Sequence, residues 1–236
     1  MAAAVAPGEA VLEVGGGLGV LTRELARRGA RVRVVELEGA LAARLKAERL
    51  PGVEVVEGDA LRVPLGNPDK VVANIPYSVA SELIERLAGC GASLIVLMVQ
   101  AELAGRLAAR PRSKDWARLP ALVQRNYTVE IVETVPPSAF FPQPRVRSCV
   151  VRMKRRAASP LVTDREYAAV VGGLFAARRK KIRNTVARAA SALGSPPEGA
   201  AGIAEELGVA DLRPEDLDVA QFEALAGALA RLRMTK

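Results

Sequence analysis

Apolar positions in the first hundred residues fall into short runs, separated by stretches with a spacing of three to four. The runs at 11–14, 31–37, 53–57, 70–74 and 93–99 are rich in Val, Ile and Leu, and each predicts a strand. Between them, 18–28, 39–49 and 79–89 carry the i, i+3, i+4 spacing of amphipathic helices. This alternation predicts a parallel sheet with helices on both faces. A helical stretch at 102–110 precedes two further β-rich runs, 127–135 and 148–154, joined by the Pro-rich loop 136–144. No helix fits in that loop, so these two strands are expected to be antiparallel, at one edge of a seven-stranded sheet. From about residue 157 the β pattern stops. Stretches 164–193, 202–207 and 219–233 read as helices, broken by Gly194-Ser195-Pro196-Pro197, with Thr163 or Asp164 as an N-cap. Two domains are therefore expected, 1–157 carrying the sheet and 158–236 small and helical.

Composition removes several kinds of chemistry. The chain has no histidine, which excludes His-based acid–base catalysis, triads and His-ligated metals. Its two cysteines, Cys90 and Cys149, lie in no Cys-x-x-Cys arrangement, so no metal site is expected and a reducing, cytoplasmic setting is. No apolar run reaches the length of a membrane span, and residues 1–10 lack the basic start of a signal peptide.

The net charge of +8 is unevenly spread. Residues 1–100 hold 11 Lys and Arg against 12 Asp and Glu; residues 101–194 hold 19 against 6; residues 195–236 hold 4 against 8. A basic middle between neutral and acidic parts predicts a localised surface for a polyanion, with affinity that falls steeply as salt is added.

Glu13-Val14-Gly15-Gly16-Gly17-Leu18-Gly19 joins the first strand to the first helix, where glycines allow a tight turn and close approach to a ligand. The spacing departs from a dinucleotide fingerprint, which requires glycine where Val20 stands. Glu36, followed by Leu37, ends the second strand, where a carboxylate can accept both hydroxyls of an adenosine ribose. Asp59-Ala60 follows the third strand, with Asp59 placed to accept from an adenine amino group. No P-loop lysine is present, which suits S-adenosylmethionine, a sulfonium cation without phosphate. Glu13, Gly15, Gly17, Leu18, Glu36, Leu37, Asp59, Ala60 and Asn74 are the candidate cofactor contacts.

Asn74-Ile75-Pro76-Tyr77 closes the fourth strand, the end at which doubly wound sheets place their chemistry. Adenine N6 is a weak nucleophile because its lone pair is conjugated with the ring. The Asn74 side-chain carbonyl and the Ile75 backbone carbonyl can each accept one N6 hydrogen, turning the lone pair toward a methyl donor. Pro76 fixes the turn and offers no competing N–H. Tyr77 can stack on a flipped base. The expected fold is therefore a Rossmann-like class I methyltransferase, α/β, with a mostly parallel seven-stranded sheet, an antiparallel edge pair and a small C-terminal helical domain.

Further motifs accompany these. They are Gln100-x-Glu102-x-x-x-Arg106, Ser113-Lys114-Asp115-Trp116-Ala117-Arg118-Leu119, Phe140-Phe141-Pro142-Gln143-Pro144-Arg145-Val146-Arg147-Ser148, Phe175-Ala176-Ala177-Arg178-Arg179-Lys180 with Asn184, and Leu212-Arg213-Pro214-Glu215-Asp216-Leu217. With them, nearly the whole chain resembles the KsgA-type ribosomal small-subunit RNA adenine N6,N6-dimethyltransferases. The resemblance implies dimethylation of two adjacent adenosines in small-subunit rRNA, on the small subunit or its assembly intermediate, by a monomer. It also implies that Phe140 forms a second wall of the base pocket, opposite Tyr77. Arg145, Arg147, Arg178, Arg179, Lys180, Lys181 and Arg183 are the candidate RNA contacts, the last five read as cations on more than one helix face.

The chain departs from the family in lacking a Gly-Gln-x-Phe-Leu motif ahead of the first strand, so either a truncated or mis-started chain or an incomplete lid over the cofactor is expected. Gly16 replaces a common proline, and Ala117 a usual glycine. The rival expectations are an adenine methylase of large-subunit rRNA, which shares the Asn-x-Pro-Tyr and Phe-x-Pro-x-Pro elements, and a non-catalytic ribosome-assembly factor.

Overall fold

The computed structural model describes residues 3–141, 143–157 and 161–233. Pro142 of the Pro-rich element, and residues 158–160 at the start of the expected helical domain, lie outside the described residues. Contacts divide the chain into two units, one of residues 1–108 and 127–155, the other of 109–126 and 156–236.

The first unit holds β1 (Ala10–Val14), β2 (Arg31–Glu36), β3 (Val53–Glu57), β4 (Lys70–Asn74), β5 (Leu94–Gln100), β6 (Tyr127–Val135) and β7 (Ser148–Arg155). Their order in the sheet is β3-β2-β1-β4-β5-β7-β6. The first five pair in parallel, which requires crossover connections between them. β7 runs antiparallel between β5 and β6, so the chain builds the outer edge first and then returns to fill the gap. Helices α1 (Val20–Arg27), α2 (Gly39–Ala47), α3 (Ala80–Ala88) and α4 (Ala101–Leu107) complete the unit. Val11, Val32, Val34, Val72 and Val96 form one buried cluster with Leu25 of α1 and Leu45 of α2. Leu12, Val35, Val71, Ile95 and Leu97 are buried as well, so the strands are covered on both faces. That is why they read as nearly unbroken apolar runs.

The second unit holds α5 (Arg118–Asn126), α6 (Asp164–Phe175), α7 (Val186–Leu193), α8 (Ala200–Glu206) and α9 (Val219–Leu232). Trp116, Tyr167, Leu174, Ile182, Phe222 and Leu225 lie at its core, with Tyr167 and Phe222 edge to face at 6.3 Å. Thr163 is the N-cap of α6. Its side chain accepts from the Glu166 N–H while Glu166 reaches back to the Thr163 N–H, a capping box.

Two expectations are corrected here. Residues 109–126, expected with the sheet, group with the helical unit. The Trp116 indole N–H donates to the Leu217 carbonyl at 3.0 Å, and Ala121 and Leu122 sit in the helical core. α5 escapes a propensity reading because Pro120 stands inside it. In the first helical turn, however, an absent N–H breaks no intrahelical bond.

Nor is 164–193 one helix. α6 stops at Phe175, a turn follows, and a single 3-10 turn at Ile182–Asn184 leads into α7. Here the Ile182 and Arg183 amides donate to the Leu212 and Ala210 carbonyls, at 2.8 and 3.0 Å. Tertiary backbone bonds thus replace the helical ladder.

Candidate active site

Two neighbouring concavities open at the carboxyl ends of the strands in the first unit. One is lined by Gly15, Glu36, Leu37, Asp59, Ala60 and Pro76, with Val14, Val79 and Leu83 among the apolar residues around them. Gly15 sits at φ 76°, and a Cβ there would come to 3.7 Å from the Asn74 carbonyl oxygen. This left-handed turn brings the loop backbone beside the end of β4, a conformation that favours glycine.

Glu36 is held by two amides. Its Oε2 accepts from the Gly17 N–H at 2.8 Å and its Oε1 from the Glu38 N–H at 2.9 Å. Each carboxylate oxygen keeps a second acceptor position. Asp59 Oδ1 accepts from the Leu61 N–H at 2.8 Å, which aligns the carboxylate at the turn after β3. Arg86 of α3 clamps that turn from behind, donating to the Ala60 and Val63 carbonyls at 2.6 and 2.7 Å. Nothing local in the sequence marks Arg86, because its partners lie more than twenty residues away.

The second concavity, of about 350 Å³, is lined by Asn74, Ile75, Pro76, Tyr77, Phe140, Phe141 and Pro144. β4 delivers Asn74 to its exposed end, paired with Met98 of β5. The Ile75 side chain is buried, which anchors the backbone between two exposed neighbours. Phe140 ends the short 3-10 turn Pro137–Ala139 and reaches the same pocket. Phe141 also lines it and is fully exposed; the sequence marks it only as a neighbour of Phe140. Pro76 lines both concavities, so the two meet at the tetrad.

The expected cofactor residues are thus placed unequally. Gly15, Glu36, Leu37, Asp59 and Ala60 line the first concavity, and Gly17 touches it through Glu36. Leu18 is instead an exposed side chain at 58%, ahead of α1, and Asn74 lines the base-sized pocket rather than the first. Glu13 is buried at 1% under the glycine loop, and its Oε2 has no hydrogen-bond partner.

Burial pushes the Glu13 carboxyl up from 4.5 to about 7, and the Glu36 charge adds to the rise. Between these values the folded protein binds more protons than the unfolded chain, so this group's contribution to stability falls as pH rises from 4.5 through 7. The loss amounts to roughly 3 kcal/mol. Glu13→Gln is expected to flatten that stretch of the stability curve and to exceed the wild type in denaturant midpoint at pH 8. Parallel curves for the two proteins would refute the assignment.

These features fit S-adenosylmethionine: acceptors for a ribose and an adenine amino group, and a buried carboxylate oxygen without a partner beside the loop. Among the described residues no cluster of His, Cys, Asp and Glu could hold a metal.

A parallel sheet finished by an antiparallel outer pair, with its binding groups at the ends of β1 to β4, defines the Rossmann-like class I methyltransferases. The sequence profile described as ribosomal RNA adenine dimethylase matches residues 1–217, and the chain belongs to that family. It is accordingly an S-adenosylmethionine-dependent rRNA adenine dimethyltransferase.

The chain is 38% identical to the ribosomal RNA small subunit methyltransferase A of Leptothrix cholodnii, over 94% of this chain and 82% of that protein. It is 40% identical to a probable methyltransferase of the same description from Halobacterium salinarum, over 92% and 78%. A dimethyladenosine transferase from Plasmodium falciparum superposes with a TM-score of 0.79 at 26% identity, covering 95% of this chain and 90% of that one. The 23S rRNA methyltransferase ErmE gives a TM-score of 0.63 at 30% identity, covering 96% and 93%.

Proposed function

We propose that this chain dimethylates N6 of two adjacent adenosines in small-subunit rRNA, and that Asn74, Ile75, Pro76, Tyr77 and Phe140 carry the chemistry. The observation behind this reading is the shared wall: Pro76 lines both the base-sized pocket and the cleft holding Glu36 and Asp59. Bound S-adenosylmethionine supplies a methyl group already activated on sulfur, so no general base has to act before transfer. In the first transfer the Asn74 side-chain oxygen and the Ile75 carbonyl accept hydrogen bonds from the two N6 hydrogens and aim the lone pair, and the proton that each methylation displaces from N6 leaves to solvent. Tyr77 and Phe140 enclose the flipped base between aromatic faces. Glu36 holds the ribose hydroxyls and Asp59 the cofactor's adenine amino group.

The phosphate contacts are redistributed by the ion pairs. Arg178 donates to Glu215 at 2.7 Å, Lys181 to Asp211 at 2.8 Å, and Arg183 pairs with the same Asp211. These two cations hold the Asp211 carboxyl below the usual carboxylate range, with the Lys181 hydrogen bond the larger cause. Among the described residues Arg179, Lys180, Arg145 and Arg147 are exposed and form no ion pair, and these four are the phosphate contacts of this reading. The small-subunit names of the relatives support action on the small subunit or its assembly intermediate, and a cytoplasmic monomer completes this reading.

The test is methyl transfer to unmodified small subunits, with the modified nucleotides mapped. Four methyl groups on two adjacent adenosines are expected. Methylation confined to large subunits would transfer the assignment to the large-subunit class, and no methylation of either would leave an assembly factor.

A further inference from the structure

The motif that opens with Phe-x-Pro-x-Pro runs on to Ser148, which lines neither concavity. Its side chain is nonetheless placed against the chemistry. The Ser148 hydroxyl lies 2.7 Å from the phenol oxygen of Tyr77, across 71 residues of sequence. Ser148 is fully buried, and its backbone is fixed from two sides, paired with Gln100 of β5 and with Val135 of β6. The preceding Arg147 carbonyl also accepts from the Ala101 N–H at 2.9 Å.

Tyr77 is held quite differently. It opens a single 3-10 turn, Tyr77–Val79, which has no side-chain cap, and it stands half-buried between exposed neighbours. One end of the ring therefore hangs from a short turn and the other meets the first residue of β7, which is paired on both sides.

We propose that Ser148 is a positioning residue, fixing the Tyr77 ring as a wall of the base pocket through this hydroxyl–hydroxyl contact. A buried hydroxyl needs a partner, whereas a phenol at a pocket mouth can turn to water, so the geometric demand comes from the serine side. Pinning the phenol restricts the ring's rotation and sets its distance from Phe140. Small displacements of a group that positions a reacting base are costly in rate. The contact also ties the strand end that supplies Tyr77 to the loop and strand that supply Phe140. The inference rests on the reading of Tyr77 as a base-stacking wall.

The experiment compares Ser148→Ala, Tyr77→Phe, their double variant and Tyr77→Ala in full-length protein. The readouts are kcat and KM on unmodified small subunits, adenosylmethionine affinity and thermal midpoint. Ser148→Ala and Tyr77→Phe are each expected to lower kcat about tenfold, as the loss of one hydrogen bond allows, with cofactor affinity unchanged. The double variant should be no slower than Tyr77→Phe alone, because both changes remove the same contact. Multiplying effects would mean that Ser148 acts only on the fold and would overturn the proposal. So would full activity in Ser148→Ala while Tyr77→Ala is inactive. Full activity in Tyr77→Ala would overturn the stacking role, and the positioning role with it. Should Ser148→Ala fold poorly, Tyr77→Phe removes the same contact from the more exposed side and keeps the kcat comparison.

Discussion

Asn74→Ala is expected to lower kcat by about 10²- to 10³-fold, the scale seen when one preorganised polar group at a reacting centre is lost. The size follows from what Asn74 does in the proposed reaction. Its oxygen accepts an N6 hydrogen most strongly as the nitrogen leaves conjugation, so it favours the transition state over the bound base. Stability should barely change. Asn74 is exposed, and its strand register with Met98 is a backbone feature that alanine keeps. Adenosylmethionine affinity should also hold, since Glu36 and Asp59 line the neighbouring cleft and Asn74 does not. Asn74→Asp retains acceptor oxygens and should keep part of the rate. Single-turnover methylation of small subunits, alongside calorimetric cofactor titration, separates these effects. An alanine variant within threefold of the wild-type kcat would sink the mechanism.

Arg125→Ala should have the largest effect on stability, about 3–5 kcal/mol, in the helical unit. The Arg125 side chain is 4% exposed, and it donates to Glu223 at 3.0 Å, to Asp164 at 2.8 Å and to the Val162 carbonyl. Its guanidinium also lies 4.6 Å over the Tyr167 ring. Alanine would leave the mostly buried Glu223 carboxylate without its partner and strip the ring of its cation. Arg125→Lys should recover only part of the loss, because one ammonium cannot reproduce the planar fork. Urea unfolding of the full chain, followed by far-ultraviolet circular dichroism, gives the measurement. A loss below about 1 kcal/mol would show that the network contributes little beyond its own desolvation.

Both predictions concern residues whose legibility differs sharply. Asn74 could be found because the tetrad is contiguous and follows a strand-like run. Arg125 could not, because its carboxylate partners lie 39 and 98 residues away and α5 itself was obscured by Pro120. The basic run 178–183 was visible as charge, but three of its five cations are committed to Glu215 and Asp211. Composition counts charges without knowing which are already paired. The glycine loop, Glu36 and Asp59 were legible for the opposite reason, since each follows directly on its own strand and needs no distant partner to be recognised.

What the sequence by itself determined is therefore local. Short apolar runs marked the strands, a spacing of three to four marked most helices, and the residues at the ends of β1 to β4 marked the candidate site. The tertiary structure alone decided the rest: the insertion of β7 between β5 and β6, the allegiance of residues 109–126, the break between α6 and α7, and the meeting of Tyr77 with Ser148. The physical reason is range. Backbone propensity and side-chain periodicity act within a few residues, whereas burial, ion pairing and tertiary hydrogen bonds depend on which distant segments are brought together.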